Sequence, residues 1–261
     1  MNGRVSDRAA FWTALGGVAL ILFWEAFVRI RDVRPFVLLP PTEIISTFLE
    51  TPGFYLEATL ITAWHLGLGL AISLTLSLAV GALLAAFRPL EHASQPLLVL
   101  ILVTPWVAYI NSVVLFVGRG NPSIIFLVSF VTVPAFVYAI VSGMRSADPA
   151  ARELFASVDA TRWEVLWRLR LPSAVPSILT ALRINLGLGL GAAYFAEGSF
   201  NSVGNGLGEI GKRAAANNQG SLLWTTILCT ALLGIAVQVL VVVIERWMLH
   251  WHASQRRVGA R

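Results

Sequence analysis

Cysteine is nearly absent from this chain, and charge is scarce. The single cysteine, Cys229, stands in an apolar run, which excludes a disulfide framework, a CxxC redox pair and a Cys/His metal site. Only 13% of the 261 residues are charged, against about a quarter in a soluble globular domain. The chain also lacks a Ser/His/Asp arrangement, a carboxylate pair in a polar context and a nucleophile elbow, so an enzymatic reading has no residues to rest on. His65 has no histidine or carboxylate at i+3 or i+4, so it reads as a hydrogen-bonded interior residue and not as a metal ligand. What is abundant is apolar surface: 57% of residues are hydrophobic and the mean hydropathy is +0.75, the composition of a polytopic membrane protein. The net charge of +5 does not point to nucleic acid, because the basic residues are scattered between apolar runs and form no patch.

Six segments reach the roughly 20 apolar residues that a span requires: 11–30, 58–87, 95–117, 122–144, 174–196 and 222–247. The N-terminus has no small-residue cleavage site, so the first segment is expected to be a retained span. Arginine placement predicts orientation, since positive loops stay on the cytoplasmic side. With the N-terminus inside, that side carries twelve basic residues: Arg4, Arg8, Arg88, Arg145, Arg152, Arg162, Arg168, Arg170, Arg246, Arg256, Arg257 and Arg261. The other side carries six: Arg29, Arg31, Arg34, Arg119, Lys212 and Arg213. Both termini are therefore expected in the cytoplasm, with residues 1–10 as a short cytoplasmic N-terminus, 11–248 as the spanning domain and 249–261 as a cytoplasmic tail. After the first span, Pro40-Pro41 and a capping Thr42 predict an amphipathic helix over 42–50 on the outer face.

The polar segment 146–172 interrupts this pattern. Asp148-Pro149 is a helix start, a capping Asp followed by Pro at the first helical position, and Ala151, Leu154, Phe155 and Val158 then share a face. Thr161-Arg162-Trp163-Glu164 fits a capping box and starts a second short helix, which Pro172 is expected to end. Two readings stand on physics alone: an interfacial hairpin with tryptophans at headgroup level, or a rigid knob whose apolar face fits a groove on a soluble partner.

Here the residues resemble a known pattern. Glu153-Leu154-Phe155, then Asp159-Ala160-Thr161, then Leu169-Arg170-Leu171-Pro172 is similar in spacing to the EAA loop of permease subunits of bacterial ABC importers, which runs Glu-Ala-Ala, three residues, Gly, nine residues, Ile-x-Leu-Pro. "LLPPTEI", "LPSAVPSILTALRINLG" and "AEGSFNSVGNGLGEI" resemble the nitrate/sulfonate/taurine-type branch. The resemblance implies an all-α permease of six transmembrane helices in the bacterial inner membrane. It also implies that Glu153, Leu154, Phe155, Val158, Asp159, Ala160 and Thr161 form a coupling helix and its border, with Trp163, Leu171 and Pro172 supporting the loop. The implied partners are ABC ATPase subunits holding ATP and magnesium, an extracytoplasmic substrate-binding protein and a second permease copy. The cargo would be a small anion such as nitrate, a sulfonate or taurine. A membrane scaffold or a channel is the alternative function. The chain departs from the pattern at Leu154-Phe155, where Ala-Ala is usual, and at Asp159, where Gly is usual. Asp159 is expected either to adopt the left-handed backbone that Gly accepts freely or to cap the next helix.

Other features carry less. "GLGEIGKR" (206–213) approaches a phosphate-binding loop but ends in Arg213 instead of Ser or Thr and follows no strand, so it is expected to be an outer loop with a re-entrant turn. Gly187 and Gly191 have the small-xxx-small spacing of packed helices. Arg183, within the fifth span, is expected to be structural, and Glu197 near its far end is a candidate gate or binding-protein contact. Trp106, Tyr109 and Asn111 of the third span, together with Asn185 of the fifth, are the candidate pathway lining, because polar groups at that depth must find partners or water.

Overall fold

The computed structural model describes residues 3–200 and 204–248, with side chains from residue 11 onward. The predicted 249–261 tail, with Arg256, Arg257 and Arg261, and the side chains of Arg4 and Arg8 lie outside the described residues. All regular structure among the described residues is helical. In chain order the helices are α1 (Gly3–Ile30), α2 (Pro41–Glu50), α3 (Pro52–Ala86), α4 (Arg88–Val103), α5 (Ile110–Val117), α6 (Asn121–Arg145), α7 (Pro149–Ser157), α8 (Arg162–Val165), α9 (Leu171–Phe200), α10 (Leu207–Ala216) and α11 (Gly220–Met248). Prolines sit in the first turn of five of them, α2, α3, α4, α6 and α7, where the missing N–H costs nothing.

Among the described residues, five helical stretches are long and apolar enough to cross a membrane: Phe11–Ile30, Pro52–Ala86, Asn121–Arg145, Arg162–Phe200 and Gly220–Met248. The third predicted span, 95–117, is not one straight helix. It breaks after Val103 into Arg88–Val103 and Trp106–Val117, bent by 96°, because Pro105 donates no hydrogen bond and holds Thr104 extended at φ −69°, ψ 125°.

The centre of the bundle is α6, packed between α3 and α9. Lipid offers no hydrophobic drive between helices, so close backbone approach and polar bonds must hold them. Both occur on the α3–α6 seam. A methyl group at Gly69 or Gly81 would lie 2.6 Å from Val128 or Ile140. Ser129 donates to the Gly69 carbonyl (2.9 Å) and Thr132 to Ser73 (2.8 Å). On the α6–α9 side, Gly143 lies against Ala174. The predicted pair Gly187 and Gly191 does not make such contacts: Gly187 faces open space, and Gly189, half a turn away, meets Leu66 and Val128 instead. Much of α1 and α11 is exposed apolar surface, as expected where lipid is the solvent.

Three further expectations are corrected. The cap of α2 is Pro40, with Pro41 at the first position; Thr42 lies inside the first turn, where its N–H and hydroxyl donate to Glu25 of α1 at 3.1 and 2.8 Å. Glu25 thus supplies the acceptor that prolines cannot, and Arg29 braces it at 2.5 Å. Pro172 does not end the second loop helix. A π turn over Leu166–Arg170 carries the chain from α8 directly into α9; widening the helix there relieves the clash of the proline ring with the preceding turn. Residues 206–213 are no re-entrant loop: Leu207–Ala216 is a helix with Leu207, Gly208, Ile210, Gly211 and Ala214 buried.

Candidate functional site

The polar segment after α6 is built by local capping at every border. Asp148 Oδ1 accepts from Ala150 N–H at 3.0 Å, starting α7 behind Pro149. At the other end, Asp159 N–H donates to Ala156 O (3.3 Å) and Ala160 N–H to Phe155 O (3.0 Å), with Asp159 at φ +48°. These two bonds around a left-handed residue are a Schellman cap. Asp159 therefore adopts the left-handed backbone, the first of its two expected roles; the capping of the next helix falls to Thr161. Thr161 N–H donates to Glu164 Oε2 (2.9 Å) and Glu164 N–H to Thr161 Oγ1 (3.3 Å), the reciprocal capping box.

The result is a projecting helix of nine residues, about two and a half turns, capped at both ends. Leu154 and Val158 are 63% and 66% exposed, Glu153 and Asp159 are exposed, and Phe155 and Ala160 are half-buried beneath them. Support comes from Leu171, which packs with Leu166 against the core, and Pro172 is half-buried. Trp163 does not underpin the loop: it is exposed and stacks on Trp167, centroids 6.5 Å apart. Arg152 ties α7 to α6 by donating to the Arg145 carbonyl.

The candidate pathway residues do not form one group. Trp106 packs edge-on against Phe195 of α9 (5.4 Å) and Tyr109 against Phe130 of α6 (5.1 Å), while Asn111 is exposed. Asn185 lies ten residues before Phe195, about 15 Å along α9, buried and donating to Thr132 O at 3.2 Å. It belongs to the α6–α9 seam.

At the far end of α9 the structure assembles a node that sequence spacing does not reveal. Glu197 is fully buried. Its Oε2 accepts from Thr62 Oγ1 and from Gly208 N–H, both at 2.9 Å, and its Oε1 lies 2.8 Å from His65 Nδ1. Thr62 Oγ1 in turn accepts from Leu207 N–H at 3.0 Å. Gly206, the cap of α10, has no side chain to satisfy the first turn; the Glu197 carboxylate does so and stands at the positive end of the helix dipole. A methyl at Gly206 would lie 2.4 Å from Glu197 Cδ, and one at Gly208 only 1.8 Å from Tyr194 O. Buried in this way, Glu197 is not a surface contact for a partner. His65 is the hydrogen-bonded interior residue expected. Arg183 is structural: it pairs with Glu245 of α11, and the signal for this was visible, since opposite charges inside spans seek each other.

Comparison with known proteins follows the same outline. Residues 71–250 match the family described as binding-protein-dependent transport system inner membrane component. The formylaminopyrimidine transport permease protein ThiX of Halalkalibacterium halodurans is 28% identical over 90% of this chain and 94% of its own. The taurine transport system permease protein TauC of Escherichia coli is 24% identical over 97% of this chain and 98% of its own. A chain of the MetNI methionine ABC transporter, in an inward-facing conformation, shares the fold with TM-score 0.60 at 18% identity, covering 78% of this chain and 97% of that one.

Proposed function

We propose a function from this premise: the chain belongs to the family of binding-protein-dependent transport system inner membrane components, and is a permease subunit of ABC-importer type. On our reading α7 is its coupling helix. A short helix, capped at both ends and showing Leu154 and Val158 to solvent, is suited to a cleft on a separate ATPase, which would hold the ATP and magnesium. Because Arg152 and the Leu166–Leu171 segment tie α7 to α6 and α9, a push on the knob is transmitted to the central helices as a rigid-body movement, and alternating access follows. The loop and both termini then face the cytoplasm. Two copies of the chain are expected, with a binding protein on the other side.

For the cargo we favour a small anion of the nitrate, sulfonate or taurine kind. The taurine permease TauC and the formylaminopyrimidine permease ThiX resemble this chain to a similar degree, so the permease alone does not dictate the solute, and the binding protein selects it. The pathway is expected to run beside Trp106, Tyr109 and Asn111; cysteines at these positions should be labelled by a thiol reagent and protected by the solute, and no labelling at any of them removes this assignment.

The exposed apolar edge of α7 carries the coupling assignment. Leu154→Asp should abolish co-purification with the ATPase subunit while leaving the thermal midpoint unchanged, because the side chain supports nothing within this chain. ATPase still bound to that variant would favour a scaffold or channel.

A further inference from the structure

Where α3 and α6 end, four arginines from four elements converge. A cavity of about 230 Å³ is lined by Arg88, Arg145, Arg152 and Arg170, with Ala85 and Met144 as its apolar floor. Arg88 is the first residue of α4, Arg145 the last of α6, Arg152 lies in α7, and Arg170 closes the π turn before α9. Three acids lie close in the chain: Glu91 and Asp148 are engaged, and Glu153, next to Arg152, is exposed and does not line the cavity. Glu91 pairs with Arg145, and Asp148 is turned to cap α7. Arg152 uses one N–H on the Arg145 carbonyl. Among the described residues neither Arg88 nor Arg170 has an ion-pair partner. Arg88, Arg145 and Arg152 are exposed and Arg170 is half-buried, so water screens part of their mutual repulsion, while an anion held among them is attracted by all four guanidinium groups.

We propose that this cavity is a phosphate-binding site, occupied by the headgroup phosphate of an anionic phospholipid. The volume is below that of a pocket for a drug-sized molecule, and the guanidinium fork matches phosphate oxygens. The position favours a lipid as the source. The cavity lies at the ends of two spans, at headgroup depth, and the same α3–α4 corner exposes Leu83, Phe87 and Leu90 where acyl chains would run. A bound headgroup would bridge the ends of α4, α6 and α9 to the projecting helix α7, making the stiffness of the loop depend on the surrounding lipid. The assignment needs neither the ATPase nor transport.

The test uses the full chain in nanodiscs of mixed phosphatidylglycerol and phosphatidylcholine, with native mass spectrometry counting the lipid retained on release. The wild type should keep phosphatidylglycerol over phosphatidylcholine. Arg88→Gln with Arg170→Gln should lower that preference about thirtyfold, and Arg88→Gln alone, at an exposed position that any misfolding spares, about fivefold. Arg162→Gln with Arg168→Gln, an equal charge change outside the cavity, should leave it intact. Undiminished preference in both Arg88 variants, or equal loss in the control pair, overturns the site. Displacement of phosphatidylglycerol by millimolar inorganic phosphate would keep the phosphate chemistry and overturn the lipid as its occupant.

Discussion

The two ends of α9 are built on opposite principles. At its start, the projecting segment 146–172 is ordered by neighbours in sequence: Asp148 with Ala150, Asp159 with Ala156, Thr161 with Glu164. At its end, about 40 Å along the helix axis, Glu197 is held by Thr62 and His65, 135 and 132 residues away in sequence. The first structure is exposed and stiff, with its apolar edge left uncovered. The second is buried, with both oxygens of its carboxylate engaged and His65 Nε2 left without a hydrogen-bond partner. Local caps complete the first segment without help from the rest of the chain, as the docking role proposed for it requires; a joint that locks three helices together draws on all three.

The comparison is broken most severely at the buried end. Glu197→Ala leaves His65 Nδ1 and the Gly208 N–H without their acceptor in a buried site and the Thr62 hydroxyl with only the Ala58 carbonyl at 3.2 Å, a loss of about 3 kcal/mol or more. The single cysteine provides the readout. Cys229 is buried in the cluster of Tyr55, Ala58, Leu207 and Ile210, so thiol labelling during a thermal ramp reports the unseating of α10. Its midpoint should fall by many degrees in Glu197→Ala, and an unchanged midpoint would show the node to be ornamental.

Legibility from sequence divides along the same line. The caps at Asp148, Thr161 and Asp159 and the apolar spans were readable because each depends on residues near one another in the chain. The Glu197 node was not, since nothing local distinguishes a carboxylate that caps a later helix from one that faces water; the bare Gly206 ahead of α10 was the only hint that a cap had to come from elsewhere. Glu25 teaches the same, because its partner Thr42 lies beyond the turn that two prolines create. The break at Thr104-Pro105 was legible in principle, and the apolar run around it concealed it: hydropathy measures length, while the proline decides direction.

A smaller blow to the same end is Gly208→Ala. The added methyl would meet the Tyr194 carbonyl, a backbone group that cannot swing aside, and the expected cost is about 2 kcal/mol. Earlier exposure of Cys229 than in wild type checks this, and a midpoint equal to that of wild type would mean that α10 slides freely along α9. At the loop, by contrast, Thr161→Ala removes one capping oxygen at an exposed position and should cost only about 1 kcal/mol. Because the spans do not depend on it, the Cys229 midpoint should hardly move, while limited proteolysis between Asp159 and Trp163 should quicken. Proteolysis at the wild-type rate would argue that tertiary contacts, and not the capping box, fix α8.

The mildest change probes whether the loop is as locally determined as it looks. Asp159→Gly places the residue usual in the EAA pattern at a position already left-handed, φ +48°. Glycine removes the steric penalty of that conformation, about 1 kcal/mol for an L-residue, and loses a similar amount through the freedom it gains in the unfolded chain. The two nearly cancel, so stability should shift by no more than about 0.5 kcal/mol. Coupling should survive as well, since the Schellman bonds to Ala156 and Phe155 use backbone atoms alone. Transport-dependent ATP hydrolysis of the assembled complex measures it. Were hydrolysis to uncouple in a variant that still binds the ATPase, the Asp159 carboxylate would itself be part of the contact, and conformational mimicry of glycine would not explain its presence there.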